Sequence, residues 1–406
     1  VNPAAENAAD AGGLVGPDVV AACALSAIPG VGATALARIT QMFGGFLAAL
    51  EAGPEKLLRA AAELKLKTES IDFLGGAPDL EDLGVKAVAA AKSASARICV
   101  LGDPWYPPLL RQIDNPPPVL YVRGTLDPDV PRVALVGARD CDDYGLELAR
   151  DIAEGLAIAG VQVVSGGARG VDAAAHAGAL WAQGSTVAVT GSGIDVVYPQ
   201  ENAALFERLG RGGGAVISEF PPGTPADKRN FPRRNRTISG LSSAVVVIRA
   251  AANSGSLITA NHAAQQKRPL FAVPGGANDP LSAGPNSLLT VEAARAVTSA
   301  KDILFGLGWP IPAALNDPEP RKRKRARVLV PQALPPAKAA ALEDVVLSEE
   351  EIRLFNALDE RSPLHIDEIS LRSGVPVAQA LAKLTELELK GLATQRPGKY
   401  FLRRLA

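Results

Sequence analysis

Between residues 132 and 274 short apolar runs alternate with longer helical ones, and that alternation leaves few folds open. R-V-A-L-V-G (132–137), Val161 to Val164, T-V-A-V-T (186–190), A-V-V-V-I (244–248) and P-L-F-A-V-P (269–274) read as buried strands, being short and rich in β-branched residues. The stretches 144–159, 171–182, 201–209 and 256–266 carry helical patterning. Strand and helix in strict turn predict an α/β chain with a Rossmann-like, doubly wound parallel sheet.

Ligands of such sheets bind at the carboxyl ends of the strands. Three of those ends carry small residues: V-G-A-R (136–139), S-G-G-A-R-G-V-D (165–172) and G-S-G-I-D (191–195). Free amides at a helix start and a nearby arginine form a phosphate pocket, which makes Gly137, Arg139, Ser165, Gly166, Gly167 and Arg169 candidates. The same glycines would also suit tight strand-to-helix packing. N-S-G-S adds hydroxyl and amide donors from Asn253, Ser254, Gly255 and Ser256 at the next strand end.

Charge then directs attention to one segment. The chain has 42 Lys and Arg against 43 Asp and Glu, so any polyanion site must be local rather than a property of the whole. K-R-N-F-P-R-R-N-R (228–236) packs five cations, one ring and two asparagines into nine residues, in a chain that is only 4% aromatic. Lys228, Arg229, Arg233, Arg234 and Arg236 offer charge for phosphates, and Phe231 offers a flat face for a base. Asn235 completes the set, and the run is read as a basic loop lining a groove.

Several chemistries lack their residues. There is no G-x-x-x-x-G-K-[ST], and V-G-A-R-D-C stands where a dinucleotide G-x-G-x-x-G would. Asp172 and His176, four apart, read either as an acid–base pair or as a helix-start carboxylate beside a packed histidine. His262 and His365 have no metal-ligand company, so the expectation is a binding protein without cofactor or metal rather than an enzyme. Cys23, Cys99 and Cys141 are isolated and read as small buried hydrophobes of a reducing compartment. No stretch has the apolar length of a membrane span, and the first twenty residues lack the basic opening of a signal peptide. A cytoplasmic protein is expected.

Five parts are expected along the chain: a disordered tail (1–17), a small all-α domain of helix-hairpin-helix or SAM-like type (18–95), the Rossmann-like domain (96–309), a basic Pro/Ala-rich linker (310–345) and a C-terminal winged helix (346–406). P-G-V-G (29–32) is the hairpin of the first domain, a turn that could hold a phosphate or simply join two helices. Two strand-like runs among prolines (97–124) lead into the sheet, and N-S-L-L-T-V-E-A-A-R-A-V (286–297) reads as one helix. In the linker R-K-R-K-R-A-R (321–327) is a solubilising tether or a second DNA contact. Ser348 and Glu351 have capping-box spacing, two helices follow, and a hairpin turn is placed at Pro397 and Gly398. On the second of those helices Lys383 and Lys390 face Glu386 and Glu388, poor electrostatics for a DNA groove.

V-G-A-R, S-G-G-A-R-G-V-D-A-A-A-H, G-S-G-I-D-V-V-Y-P-Q-E-N, S-E-F-P-P-G, F-P-R-R-N-R-T-I-S-G-L-S, G-S-L-I-T-A and F-A-V-P-G, in that order from 102 to 304, resemble the DNA-processing protein A (DprA/Smf) family. The resemblance implies a cytoplasmic bacterial protein that binds and protects single-stranded DNA in natural transformation and helps to load the RecA recombinase. It implies that Arg139 and Arg169 belong to a phosphate pocket, that Lys228 and Phe231 meet backbone and base, and that Arg234, Asn235 and Arg236 complete the wall. It implies a homodimer built near 286–297, with Leu288, Leu289 and Val291 at the self-association face. Ala138 stands where the family usually has Ser, and Gln200 where many members have a basic residue.

Two other classes are weighed. Nucleoside-monophosphate phosphoribohydrolases share the P-G-G at 274–276, but their G-T-x-x-E is replaced here by Ala277, Asn278 and Asp279. A winged-helix transcription regulator would instead bind duplex through its C-terminal unit.

Overall fold

The apolar runs assemble into one nine-stranded sheet: β1 (Arg97–Val100), β2 (Val119–Gly124), β3 (Arg132–Val136), β4 (Gln162–Ser165), β5 (Thr186–Thr190), β6 (Gly214–Ser218), β7 (Ala244–Val247), β8 (Leu270–Ala272) and β9 (Arg295–Ala296). This computed structural model describes residues 16–315, 347–359, 364–389, 392–396 and 400–403. Two compact units divide the chain, Val1–Gln332 and Ala333–Ala406. The strand order is β1-β2-β6-β5-β4-β3-β7-β8-β9, with β6 through β9 mutually parallel. The chain therefore winds outward from β3 in both directions. The two runs before it add β2 antiparallel to β6 and β1 antiparallel to β2, closing one edge.

Burial explains why the central strands lack polar alternation. Every residue of β3, β5 and β6 is buried, because both faces are covered. Successive side chains part to opposite faces: Ala134 and Val136 go to one core, Val133 and Leu135 to the other.

The helices of this unit are α1 (Pro17–Ser26), α2 (Ala33–Phe43), α3 (Phe46–Glu51), α4 (Gly53–Glu63), α5 (Thr68–Gly75), α6 (Leu80–Ser93), α7 (Pro108–Arg111), α8 (Asp143–Ile158), α9 (Val171–Trp181), α10 (Ala203–Arg208), α11 (Asn230–Gly240), α12 (Ser256–Gln265), α13 (Ala283–Thr290) and α14 (Ala300–Leu307). On one face Leu110 of α7, Ile238 of α11 and Ala260 of α12 meet the strands. On the other, Ile152 of α8, Ala175 of α9 and Ile303 of α14 do so. Ala22 and Cys23 of α1 and Ala91 of α6 pack against Tyr121 of β2 and Val216 of β6, so α1 and α6 share a core with the sheet, while Leu36 and Ile39 of α2, Leu57 of α4 and Leu74 of α5 fill a separate helical core. Burial pushes the Cys23 and Cys99 thiols up to about 11 and 12, as suits packed apolar side chains. Gly30, at φ +76°, makes the turn between α1 and α2 that P-G-V-G calls for.

Three local expectations are corrected. The basic run at 228–236 is not a loop: from Asn230 onward it is the first half of α11, and Pro232 fits because the first helical turn needs no amide there. The helix expected over 286–297 stops at Thr290, Glu292 adopts φ +56°, and Arg295 and Ala296 join the sheet as β9. Pairing with β8 overrides the apolar periodicity there. G-A-V-I-S forms β6, a strand that the alternation read from sequence omits because it follows a glycine run.

The second unit contains α15 (Glu349–Ala357), β10 (Leu364–His365), α16 (Ile366–Ser373), α17 (Val377–Leu389), β11 (Ala393–Arg396) and β12 (Tyr400–Arg403). The capping box is made: the Glu351 amide donates to Ser348 Oγ at 3.3 Å, and the Ser348 amide to the Glu351 carboxylate at 2.7 Å. Gly374 at φ +69° turns α16 into α17, and β11 and β12 form the antiparallel wing beside β10. Leu354, Ile369, Leu384 and Phe401 fill its core. The expected tail up to residue 15, the linker from 316 with its arginine run, Lys390 and the turn at Pro397 and Gly398 lie outside the described residues.

Candidate nucleic-acid interface

Helical geometry sorts the basic run into two faces. Phe231, Arg234, Asn235 and Ile238 follow the i, i+3, i+4, i+7 spacing of a single stripe, and Arg234, Asn235 and Ile238 are buried. Arg229, Arg233 and Arg236 fall on the other side. The charges in one short segment therefore have different tasks.

Arg234 supports the site from within. It is 5% exposed, and its Nη1 donates to the carbonyls of Gly166 and Val189, joining the ends of β4 and β5 to α11. Burial pulls its guanidinium down to about 10, with the Asp172 charge opposing and Arg139 reinforcing the shift, so it stays protonated at neutral pH. Burial likewise raises the Asp172 carboxyl, against the Arg234 charge and the Ala168 amide, which donates to it at 3.3 Å.

Phe231 lies half-buried above this layer. Its ring rests against Gly191, where a Cβ would come within 2.8 Å of Cδ1. The guanidinium carbon of Arg139 lies 5.1 Å from the ring centroid and that of Arg234 5.7 Å. Tyr198 sits beside it, centroids 5.9 Å apart and planes tilted by 37°, and is 47% exposed. Two aromatic rings and two arginines thus meet at the carboxyl ends of β3, β4 and β5.

The other cations differ in availability. Arg139 and Lys228 are exposed and have no carboxylate partner among the described residues. Arg169 lies 3.4 Å from Asp140, and Arg233 lies 3.4 Å from Glu219 and over the ring of Phe220 at 5.0 Å. Arg229 is held by Asp227 through two bonds of 2.9 and 3.0 Å, which with the Arg229 amide keep the Asp227 carboxyl down at about 2. Arg236 donates to the Asp114 carbonyl at 2.6 Å, fastening α11 to the loop after α7.

The glycine-rich turns are mostly scaffolding. Ser165 is buried and donates to the Leu135 carbonyl at 2.7 Å. Gly166 and Gly167 are buried, and the Arg234 guanidinium at the first and the Phe206 ring at the second leave no room for a Cβ. The amide at the start of α9 is not free either, since Val171 donates to the Ala138 carbonyl at 3.1 Å. Of this turn, Arg169 is what solvent reaches. Gly137 packs under Val171, and Ala138 is 9% exposed, its amide donating to the Arg249 carbonyl at 2.6 Å. In N-S-G-S, Asn253 and Gly255 are exposed, Ser254 and Ser256 bond one another at 2.8 Å, and Asn235 Nδ2 donates to the Gly255 carbonyl at 3.2 Å. Asn235 thereby couples this turn to α11.

Asp172 and His176 do not form an acid–base pair. His176 is buried and its Nδ1 meets Thr186 Oγ1 at 2.7 Å, while that hydroxyl donates to the Val163 carbonyl at 2.6 Å. Burial pushes the ring down to about 3, so it is a neutral packed residue. No group of three or more His, Cys, Asp or Glu able to hold a metal gathers among the described residues.

Sequence reasoning passed over two residues here. Tyr198 was visible only as part of V-Y-P-Q-E-N, whose Asn202 also donates to the Gly167 and Ala168 carbonyls at 2.9 and 3.0 Å. Arg249 follows an all-apolar strand, a place where a cation must find partners. It is buried between Asp142 at 2.6 Å and Asp279 at 2.5 Å and donates to Ser282 at 2.6 Å, closing the crevice between β3 and β7. Asp279, where the phosphoribohydrolase pattern departs, is thus engaged internally.

These features define an α/β protein that gathers cations and aromatic rings at the carboxyl edge of a doubly wound sheet and carries a winged helix. Residues 97–308 match the family described as DNA recombination-mediator protein A, and residues 333–399 match the DprA winged helix domain. The Protein Smf of Escherichia coli is 37% identical over 76% of this chain and 80% of its own length. The putative DNA processing protein DprA of Mycobacterium tuberculosis is 37% identical over 80% of this chain and 75% of its own. The crystal structure of DNA processing protein A from Streptococcus pneumoniae superposes with a TM-score of 0.58 at 30% identity, covering 72% of this chain and 98% of that one. The chain belongs to the DNA recombination-mediator protein A family, whose role is DNA processing in recombination. Among the described residues no helix is long and apolar enough to cross a membrane.

Proposed function

We propose that this protein binds single-stranded DNA across the carboxyl ends of β3 to β6 and delivers it to the RecA recombinase. The observation that carries the reading is Phe231, half-buried beside Tyr198 and framed by Arg139 and Arg234. A base stacks on a ring only where its face is bare, which a duplex does not offer, and phosphates need the cations that surround the ring. Arg139, Lys228, Arg169, Arg229 and Arg233 are the cations that reach solvent there, while Arg234, Ser165, Gly166 and Gly167 hold the surface in shape. Four phosphate contacts give a log-log salt slope of about −3, at roughly −0.7 per phosphate. The ring presents no hydrogen-bonding edge, so sequence preference is slight. Delivery to RecA, a cytoplasmic setting and action without catalysis belong to the same proposal, with membership of a recombination-mediator family in their support. So does a homodimer through the segment after β8: Val291 is 70% exposed, while Leu288 and Leu289 are half-buried. A monomer in sedimentation at micromolar concentration would refute that part.

Fluorescence anisotropy with labelled oligo-dT and a duplex of equal length, at two salt concentrations, tests the central reading. Intact protein should prefer the single strand, lose affinity with salt, and bind more weakly as Phe231→Ala. Equal duplex binding untouched by Phe231→Ala would reject it in favour of the winged helix or the linker.

A further inference from the structure

Two exposed ion pairs adjoin cations assigned to this site, and in one of them Asp227 also accepts the Arg229 amide at 2.7 Å. Arg169 and Asp140 are 3.4 Å apart, with side chains 53% and 91% exposed. Arg229, its side chain 90% exposed, is gripped by Asp227 through two bonds of 2.9 and 3.0 Å. Exposed pairs of this kind add little to stability. Each acid is also the chain neighbour of an exposed cation that lacks a carboxylate partner among the described residues: Asp140 follows Arg139, and Asp227 precedes Lys228. Glu219, which pairs with Arg233, is different in kind. Its side chain is 2% exposed and accepts a bond from Thr237 Oγ1 at 3.1 Å, so it is built into the packing of α11.

We propose that Asp140 and Asp227 are attenuators of the strand-binding surface: each occupies an arginine that a phosphate must take over, and each then faces that phosphate as a like charge. The inference rests on the single-strand reading above. No covalent step is involved, since guanidinium N–H donors exchange carboxylate oxygens for phosphate oxygens. The displaced carboxylate stays tethered beside the phosphate and repels it through a water-like dielectric, an effect of roughly fivefold in affinity at contact distance. The surface thereby holds a strand less tightly than its count of cations implies. For a protein that passes its strand to another, that moderation keeps release fast.

The test compares Asp140→Asn, Asp227→Asn and, as a charge-matched control, Glu207→Gln. Glu207 makes a similar exposed pair with Arg211 at 2.7 Å, just before β6 starts and so at the amino end of the sheet. With labelled oligo-dT at low salt, Asp140→Asn and Asp227→Asn should each bind roughly fivefold tighter than wild type, with slower dissociation and a gain that shrinks as salt screens it. Glu207→Gln should bind as wild type, and all three should melt as wild type does. Unchanged or weaker binding by both Asp variants, in a protein whose oligo-dT binding still falls on Phe231→Ala, would overturn attenuation and make the carboxylates positioning groups. Equal tightening by Glu207→Gln would overturn it too, as an effect of net charge. Wild-type binding indifferent to Phe231→Ala would instead remove the single-strand reading, and the inference with it.

Discussion

Two helices of this chain carry cations beside apolar residues, and only beside one of them do exposed cations stand without a carboxylate partner among the described residues. On α11 the counter-charges come from other elements, Asp227 before it and Glu219 after β6, while neighbouring Lys228 and Arg139 have no carboxylate partner among the described residues. On α17, Lys383 is bound at 2.8 Å by Glu386 three residues on, and Glu388 accepts the Gln395 amide at 2.9 Å. The exposed positions of α17 include Val377, Gln379, Ala382 and Thr385, none of them charged. A helix that neutralises itself offers a nucleic acid little. What decides is where the counter-charge sits, not how many lysines or arginines a segment holds.

The comparison breaks most severely at Arg234. Arg234→Ala leaves the Gly166 and Val189 carbonyls without their donor and buried Asp172 without its compensating charge, so denaturant unfolding should show a loss of about 3 kcal/mol and oligo-dT binding should disappear with it. A variant as stable as wild type would remove Arg234 from the scaffold. Phe231→Ala should separate the two properties: affinity for oligo-dT falls by about 1–3 kcal/mol, with a smaller change in stability because the ring is only half-buried.

Acid should expose the packing under α9. His176 titrates near 3 when folded against an ordinary 6.5, so between these values the unfolded chain binds more protons and stability falls as pH is lowered. Between pH 6.5 and about 5 the loss from this ring is about 2 kcal/mol, and His176→Gln should flatten that part of the stability profile. An unchanged profile would mean that another group carries the acid response. The smallest effect sharpens the comparison most: Arg233→Ala should reduce the salt slope by about 0.7, whereas Lys383→Ala should leave slope and affinity as they were.

Much of this fold was legible because both faces of the central sheet are buried, which makes its strands apolar without interruption. Where tertiary pairing competes with local pattern, legibility failed: β9 took residues whose periodicity suits a helix, and β6 hid behind a glycine run. The basic run drew attention through composition, yet its helical spacing of Phe231, Arg234, Asn235 and Ile238 was also in the sequence. What no spacing could disclose was the division of labour. Arg234 and Arg233 are adjacent and chemically identical, and their roles differ because one points at the carbonyls of β4 and β5 and the other at Glu219. Asp140 and Glu219 lie far along the chain from Arg169 and Arg233 and meet them only after folding.

The most direct measurement is photo-crosslinking of the intact protein to oligo-dT, with the attached peptides mapped by mass spectrometry. Crosslinks at Tyr198 and Phe231, lost when unlabelled single strand competes but retained against duplex, are the result this account requires. Crosslinks confined to residues 316–346 or to α17 would contradict it and move the DNA site out of the sheet domain.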